Sequence, residues 1–207
     1  MGTFSLVVLD FETTGLSPAF GDRVIEVGAV LLQGGVVADR FQSLANPGRR
    51  VSRFIEEYTG ITNAMLAGAP PVAEVMARFA GFIEGHALAA HNASFDSRFL
   101  DAELARLRLT RRRPFACTLL LSRRVYPEAP AHNLETLARY KRLAASGPHH
   151  RALADAEMAA ELWLGMVRDI KAGYGLDEIP LDFMLRLAKV AKAAAPGYLQ
   201  KFAASQG

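Results

Sequence analysis

The chain has 207 residues, with 24 Lys plus Arg against 21 Asp plus Glu and a formal net charge of +3. Hydrophobic residues make up 51% of it and charged residues 22%, which predicts one folded domain and excludes a disordered, collagen-like or coiled-coil chain. No apolar run approaches the ~18 residues of a membrane helix, and the single cysteine, Cys117, allows no internal disulfide. We therefore expect a cytoplasmic protein that does not enter a membrane.

The first part of the chain is rich in predicted strands. Residues 4–9 and 24–32 are nearly unbroken apolar runs, as expected of buried strands. A third strand is predicted at 36–41, after a Gln-Gly-Gly turn. Helical spacing follows at 52–58 and 71–83.

Strands and helices then alternate. A short strand is predicted at 87–90, a helix at 94–107, another strand at 115–121, and helices at 134–140 and 152–170. Three strands followed by alternating helices and strands indicate an α/β domain with a mixed sheet.

The tail differs from the rest. After two glycines at 173 and 175, an apolar stripe over 181–187 predicts an amphipathic helix, and a second short helix is expected after Pro196. We expect one domain at 1–172 and a C-terminal helical extension at 173–207. The stripe could pack on the domain itself, mediate self-association or bind a partner protein.

Positive charge is concentrated in the middle of the chain. Residues 106–151 hold 11 basic and 2 acidic side chains, whereas residues 1–105 hold 7 basic and 12 acidic ones. Clustered arginines suit a phosphate backbone, because guanidinium groups present several donors to phosphate oxygens. A solvated helix face is the alternative interpretation.

Two carboxylates end the first predicted strand. Asp10 and Glu12 are two residues apart, so they project from the same face of a strand. Adjacent carboxylates repel each other unless a proton or a cation lies between them, and Mg²⁺ or Mn²⁺ prefers such oxygen ligands. Alone, the pair fits a solvated strand end better than a metal site, because two acids at a strand end are common.

Two later segments carry similar groups. Asp96 follows the strand at 87–90, and strand ends of α/β sheets commonly bind ligands. Asp155 lies in the first turn of the long helix and His150 precedes that helix. Their spacing separates them by about 140° on an ideal helix, so His150 is expected in the approach to the helix. A mobile imidazole near a cation could serve as a general base; an exposed loop histidine is the alternative.

Taken together, residues 10–16 (DFETTGL), 91–96 (HNASFD) and 150–156 (HRALADA) resemble the DnaQ-like, histidine-base branch of the DEDD exonuclease superfamily. The resemblance covers about residues 4–170 and is closest to the proofreading epsilon subunits of bacterial DNA polymerase III. It implies a ribonuclease H-like α/β fold, in which helices flank a five-stranded mixed sheet.

The resemblance also implies roles for individual residues. Asp10, Glu12, Asp96 and Asp155 correspond to carboxylates that bind two divalent ions, Mg²⁺ or Mn²⁺, and His150 corresponds to the base that deprotonates the attacking water. The positions that match contacts to the terminal nucleotide are Thr13, Leu16, Thr59, Ile61, His91, Asn92 and Phe95.

The implied function is a 3′–5′ exonuclease that releases nucleoside monophosphates from single-stranded DNA. An exoribonuclease with the same chemistry is one alternative, because the motifs serve both substrates. A nucleic-acid-binding or polymerase-binding module without catalysis is another. The tail offers a surface for a DNA polymerase or for self-association.

Overall fold

The structure is a computed structural model that describes residues 5–143 and 151–206. Its centre is a five-stranded mixed sheet in the order β3-β2-β1-β4-β5. The strands are β1 (Ser5–Thr13), β2 (Val24–Gln33), β3 (Val36–Leu44), β4 (Ala87–Ala90) and β5 (Phe115–Cys117). The first three strands are antiparallel neighbours, and β1, β4 and β5 run parallel. The predicted mixed α/β fold is confirmed.

Helices cover both faces of the sheet. They are α1 (Arg53–Thr59), α2 (Asn63–Ala67), α3 (Val72–Phe82), α4 (Ser94–Arg106), α5 (Thr118–Val125), α6 (Leu134–Lys141), α7 (Ala152–Tyr174), α8 (Leu181–Leu187) and α9 (Ala195–Ala204). Within the described ranges, none of them combines the length and the apolar character needed to cross a membrane.

The alternation of side chains along β1 divides the core into two layers. Leu6 and Val8 pack into the layer that contains α7, whereas Val7, Leu9 and Phe11 pack into the layer that contains α3 and α4. Because alternate residues of a strand share a face, the carboxylates at positions 10 and 12 continue the face that α7 covers.

The strand predicted at 115–121 is wrong beyond Cys117, because Thr118 begins α5. An apolar run of this length fits a strand or a buried helix equally well. Here Thr118, Leu121 and Ser122 recur with helical spacing and are the buried residues of α5. The short helix α2, which begins after the cap residue Thr62, was not predicted.

The predicted helices of the tail are present and pack against the domain's own core. Phe183, Met184 and Leu187 of α8 are fully buried in the same apolar cluster as Trp163 of α7. The Arg124 Nε donates a hydrogen bond to the Val190 carbonyl oxygen over 2.8 Å. The apolar stripe of the tail therefore completes the layer around α7.

Candidate active site

Three acidic side chains meet at the end of β1. Asp10 and Glu12 come from the strand and Asp155 comes from the first turn of α7. Each offers a carboxylate oxygen, and these atoms lie within 4.8 Å of one another. The strand periodicity thus places the first two on one face, and the packing of α7 brings the third to them.

Asp96 lines the same cavity from α4. It is only 2% exposed, and its Oδ1 accepts a hydrogen bond from the Phe11 N–H over 3.2 Å. The chain turns from β4 into α4 through Asn92, whose φ of 63° lies in the left-handed region that Asn tolerates better than most residues. This turn places Asp96 beside the carboxylates of β1.

Burial raises the pKa values of Glu12, Asp96 and Asp10, and repulsion between the carboxylates adds to this effect at Glu12 and Asp10. Burial, with Asp155 the largest of the neighbouring charges, raises the pKa of Glu12 from 4.5 to about 8. Burial also raises the pKa of Asp96 to about 7, against the opposing effect of backbone N–H donors. The pKa of Asp10 is raised well above its usual range by burial and then by the other carboxylates. Such a cluster is stabilised by a proton or by a divalent cation, and its donor set of carboxylate oxygens fits Mg²⁺ or Mn²⁺.

His150, the base that the sequence motifs imply, lies outside the described residues. The structure does place Asp155 on the helix, as the sequence predicts, and α7 begins at Ala152.

The carboxylates lie in a cavity of about 690 Å³. Six of the seven side chains predicted to contact a nucleotide line it, namely Thr13, Leu16, Thr59, His91, Asn92 and Phe95. Ile61 is the exception, because it is fully buried in a separate apolar cluster with Ile25, Val51 and Leu66. The structure therefore does not support a contact between Ile61 and a nucleotide base.

Among the six lining residues, Thr59 and His91 are each held by two hydrogen bonds within the protein. The Thr59 hydroxyl donates to the Ile55 carbonyl oxygen and accepts from the Ile61 N–H, which fixes the end of α1. The ring of His91 contacts the Thr118 hydroxyl at 2.9 Å and the His132 carbonyl oxygen at 2.8 Å. Burial lowers the pKa of His91 to about 4, so this ring is a neutral element of the cavity wall.

Leu16 is presented by a braced loop. It is 81% exposed, although it follows directly on β1. The carboxylate of Asp22 accepts hydrogen bonds from the Ser17 N–H, the Thr14 hydroxyl and the Arg49 guanidinium. These contacts hold an apolar side chain in solvent at the rim of the cavity.

Sequence reasoning overlooked an aromatic pair on α1. Phe54 is 70% exposed and Tyr58 is 52% exposed, and both line the cavity. Their rings stack, with centroids 5.9 Å apart and an interplanar angle of 14°. Two aromatic residues four positions apart on a short, charged helix were the available signal, since residues at that spacing are neighbours on a helix surface.

The arginines at 106–113 lie away from the carboxylates. They connect the end of α4 to the start of β5, and β5 runs parallel to β1 and β4, whose carboxyl ends lead to the site. The connection is therefore at the opposite end of the sheet. There Arg111 forms a two-point ion pair with Asp101, and Arg108, Arg112 and Arg113 surround a second cavity of about 650 Å³. The structure gives no support to the hypothesis that this stretch holds a polyanion at the site.

Comparisons with known proteins agree with this arrangement. A family model named RNase_T and described as "Exonuclease" matches residues 7–163. The PolC-type DNA polymerase III of Bacillus cereus is 42% identical over 165 residues, which are 79% of this chain and 11% of that protein. The corresponding protein of Thermotoga maritima is 40% identical over 173 residues, which are 82% of this chain and 12% of that protein. The chain thus spans only about an eighth of these relatives.

Solved structures show the same architecture. Exonuclease X in complex with 5′ overhanging duplex DNA superposes with a TM-score of 0.69 at 26% sequence identity, covering 88% of this chain and 99% of that one. The family model covers most of the chain and includes all four carboxylates of the cavity, Asp10, Glu12, Asp96 and Asp155. The resemblance indicated by the sequence motifs is confirmed. The chain belongs to this exonuclease family.

Proposed function

We propose that the protein is a 3′–5′ exonuclease that removes nucleoside 5′-monophosphates from the 3′ end of single-stranded DNA. One observation carries the proposal: a cluster of buried and half-buried carboxylates shares a single cavity with exposed apolar and aromatic side chains. The carboxylates would bind cations, and these cations would interact with the scissile phosphodiester. The apolar side chains suit unpaired bases.

Asp10, Glu12, Asp96 and Asp155 would hold two divalent cations, Mg²⁺ or Mn²⁺. When bound, such a pair supplies a nucleophilic hydroxide at neutral pH and stabilises the charge that develops on the attacking and leaving oxygens. The four carboxylates would balance the charge of two dications, which leaves a site able to accept an anionic phosphodiester. The raised pKa of Glu12 supports this role, because a cation relieves the repulsion that burial creates.

His150 would take the proton from the attacking water. Its imidazole has an unperturbed pKa close to neutrality, as a general base requires. It stands one residue before Arg151 in the sequence and five before Asp155. This assignment rests on the sequence motif.

Leu16, Phe54 and Tyr58 would hold the last bases of the strand, with Phe95 and Asn92 on the other wall of the cavity. Stacking on apolar and aromatic side chains requires bases that are not paired, and it tolerates any sequence because every base has a π-face. These contacts favour a single-stranded end. DNA is favoured over RNA because the relatives with 40–42% identity are DNA polymerases.

We further propose that the protein works in the cytoplasm beside a DNA polymerase, because the matching segment of its relatives belongs to a polymerase. The boundary between residues 172 and 173, and polymerase binding or self-association through 173–207, belong to this proposal. Since the apolar side of α8 is buried, such contacts would use its outer side, where Asp182 and Arg186 form an exposed ion pair.

The test is a side-by-side digestion of matched single-stranded DNA, duplex DNA with a mismatched 3′ end, and RNA, each labelled at its 5′ end, with Mn²⁺. We expect stepwise shortening of the DNA from its 3′ end and release of nucleoside 5′-monophosphates, and loss of both in Asp10→Ala. Faster digestion of RNA would instead identify an exoribonuclease. Binding of all three substrates without cleavage would identify a non-catalytic module.

A further inference from the structure

A buried glutamate lies beside the metal-binding carboxylates without being one of them. Glu26 of β2 is fully buried. It pairs directly across the antiparallel strands with Glu12, so both side chains project from the face of the sheet that α7 covers. Burying a carboxylate costs free energy unless hydrogen-bond donors satisfy it. The donors to Glu26 therefore show which part of the structure it positions.

Most of these donors belong to the start of α7. The Arg151 guanidinium donates to Glu26 through Nε at 3.1 Å and Nη2 at 2.8 Å. The Ala152 N–H donates to Oε2 over 3.2 Å, and Gln42 of β3 adds a further contact at 3.3 Å. The first N–H groups of a helix lack partners within the helix, and the side chain of the residue preceding α7 does not cap it. Glu26 supplies that cap from a neighbouring strand.

Gly28 brings the helix and the strand into close contact. It pairs across the strands with Asp10, and a Cβ atom at this position would lie 2.1 Å from the Ala152 carbonyl carbon and the Leu153 nitrogen. The first turn of α7 therefore rests on the backbone of β2. Together with Glu26, this contact fixes both the depth and the register of the helix start.

The same turn carries a metal-binding candidate. The Asp155 N–H donates to the Arg151 carbonyl oxygen over 3.1 Å, so Asp155 stands one helical turn after the residue that Glu26 grips. Its carboxylate completes the group formed with Asp10 and Glu12. A shift of the helix start along β2 would move Asp155 away from the other two.

Arg151 is also a cation close to this group, near enough to favour the charged form of Glu12. Its guanidinium is engaged in a two-point pairing with Glu26. Glu12 is the other carboxylate whose charge acts on Arg151. If Glu26 were removed, the guanidinium would be released to compete with a metal ion for Glu12.

We propose that Glu26 and Arg151 form a positioning pair, which sets Asp155 for the divalent cation and keeps the Arg151 guanidinium off the metal-binding carboxylates. This inference rests on the proposed function only in requiring a cation at Asp10, Glu12 and Asp155. It assigns neither residue a contact with the substrate or with the metal. Removal of a residue that orients a metal ligand typically lowers metal affinity or activity about 10–100-fold.

The test measures Mn²⁺ binding in the full-length protein without nucleic acid, by electron paramagnetic resonance of free Mn²⁺. We expect Glu26→Ala to raise the Kd for Mn²⁺ by about 10–100-fold. Glu26→Gln, which keeps an acceptor for the Ala152 N–H but loses the charge, should raise it less. In a nuclease assay, saturating Mn²⁺ should restore much of the turnover of Glu26→Gln, and KM for DNA should stay unchanged, because neither residue contacts the strand.

Glu103 offers a matched control. It is equally buried and accepts a two-point ion pair from Arg23 together with the Val24 N–H, but it takes no part in the carboxylate cluster. Glu103→Gln should lower Tm, as Glu26→Gln does, and leave the Kd for Mn²⁺ unchanged. Asp10→Ala shows which part of the Mn²⁺ binding belongs to the site.

The proposal is overturned if both Glu26 variants bind Mn²⁺ like the wild type, or if Glu103→Gln weakens binding as much as Glu26→Gln. It is also overturned if the wild type shows no Mn²⁺ binding that Asp10→Ala removes. Failure of the proposed function looks different. In that case the wild type binds Mn²⁺ at the site and the Glu26 variants bind it less tightly, but no nucleic acid is cleaved.

Discussion

The Phe11 N–H donates a hydrogen bond to the Asp96 Oδ1 over 3.2 Å, which joins the backbone of β1 to the first turn of α4 between Asp10 and Glu12. The bond uses one oxygen of a carboxylate that we also propose as a charged metal ligand. The Asp96 side chain would therefore have a structural role and an electrostatic role, and substitutions can separate the two.

Asp96→Asn should preserve the fold and remove the activity. The amide oxygen of Asn can still accept from the Phe11 N–H, so Tm in EDTA should stay within a few degrees of the wild type. Exonuclease activity should fall by at least about 100-fold, since one charged ligand is lost. Thermal denaturation and oligonucleotide digestion check the two expectations.

Asp96→Ala is the companion variant. It removes the acceptor as well and leaves a buried N–H unsatisfied, so it should be less stable than Asp96→Asn by about 1–3 kcal/mol. Equal stability of the two variants would show that the hydrogen bond contributes nothing, and wild-type activity of Asp96→Asn would exclude Asp96 from the site.

The raised pKa of Glu12 predicts how stability changes with pH in the absence of metal. Between pH 4.5 and about 8 the folded protein retains a proton that the unfolded chain has released. Stability therefore falls as pH rises through this window. Glu12→Gln cannot titrate there, so in EDTA it should be more stable than the wild type at pH 8, by on the order of 1–3 kcal/mol.

The difference should shrink at pH 5, where Glu12 itself holds its proton, and it should reverse at pH 8 when Mn²⁺ stabilises only the wild type. Urea denaturation at both pH values measures each difference. A wild type that is as stable as Glu12→Gln in EDTA at pH 8 would contradict the raised pKa.

The aromatic pair on α1 predicts a defect in substrate binding. Phe54→Ala combined with Tyr58→Ala should raise KM for single-stranded DNA about 5–100-fold, because stacking on an aromatic side chain contributes about 1–3 kcal/mol per base. The Kd for Mn²⁺ should change less than KM, since neither residue supplies a carboxylate oxygen to the cluster.

Phe20→Ala is the control, because Phe20 is an aromatic residue that is even more exposed, at 89%, and does not line the cavity. If the control raises KM as much as the double variant, the pair is not a base-binding surface.

Local patterns predicted the sheet well, because each strand carries its own signature. The strands predicted at 4–9, 24–32 and 36–41 correspond to β1, β2 and β3, which pair with one another in chain order. The strand at 87–90 has the predicted bounds. The run at 115–121 failed because its second half is decided by packing: Leu121 of α5 belongs to the core cluster around α7. No short-range pattern contains that contact.

Local sequence patterns likewise predict only part of the candidate site. The strand period alone places Asp10 and Glu12 together, whereas Asp155 reaches them only because α7 packs closely on Gly28. This close packing depends on Gly28, which lies 127 positions before Asp155 in the chain. Ile61 shows the opposite case. Its place in the motif predicts a substrate contact, but its side chain is buried in an apolar cluster with Ile25, Val51 and Leu66.

The arginine stretch yields the last prediction. Arg112 and Arg113 are exposed at the end of the sheet opposite the carboxylates, at least about 13 Å away along β1 at 3.3 Å per residue. Reversing both charges should therefore leave KM and kcat for a short single-stranded oligonucleotide within about twofold of the wild type at low salt, where electrostatic effects on nucleic-acid binding are largest.

Reversing Arg49, which braces the Leu16 loop at the cavity rim, should raise KM under the same conditions. If the Arg112 and Arg113 variant lost affinity for the short oligonucleotide while the Arg49 variant did not, the strand would have to run toward the opposite end of the sheet, and the placement of the bases against Leu16, Phe54 and Tyr58 would be wrong.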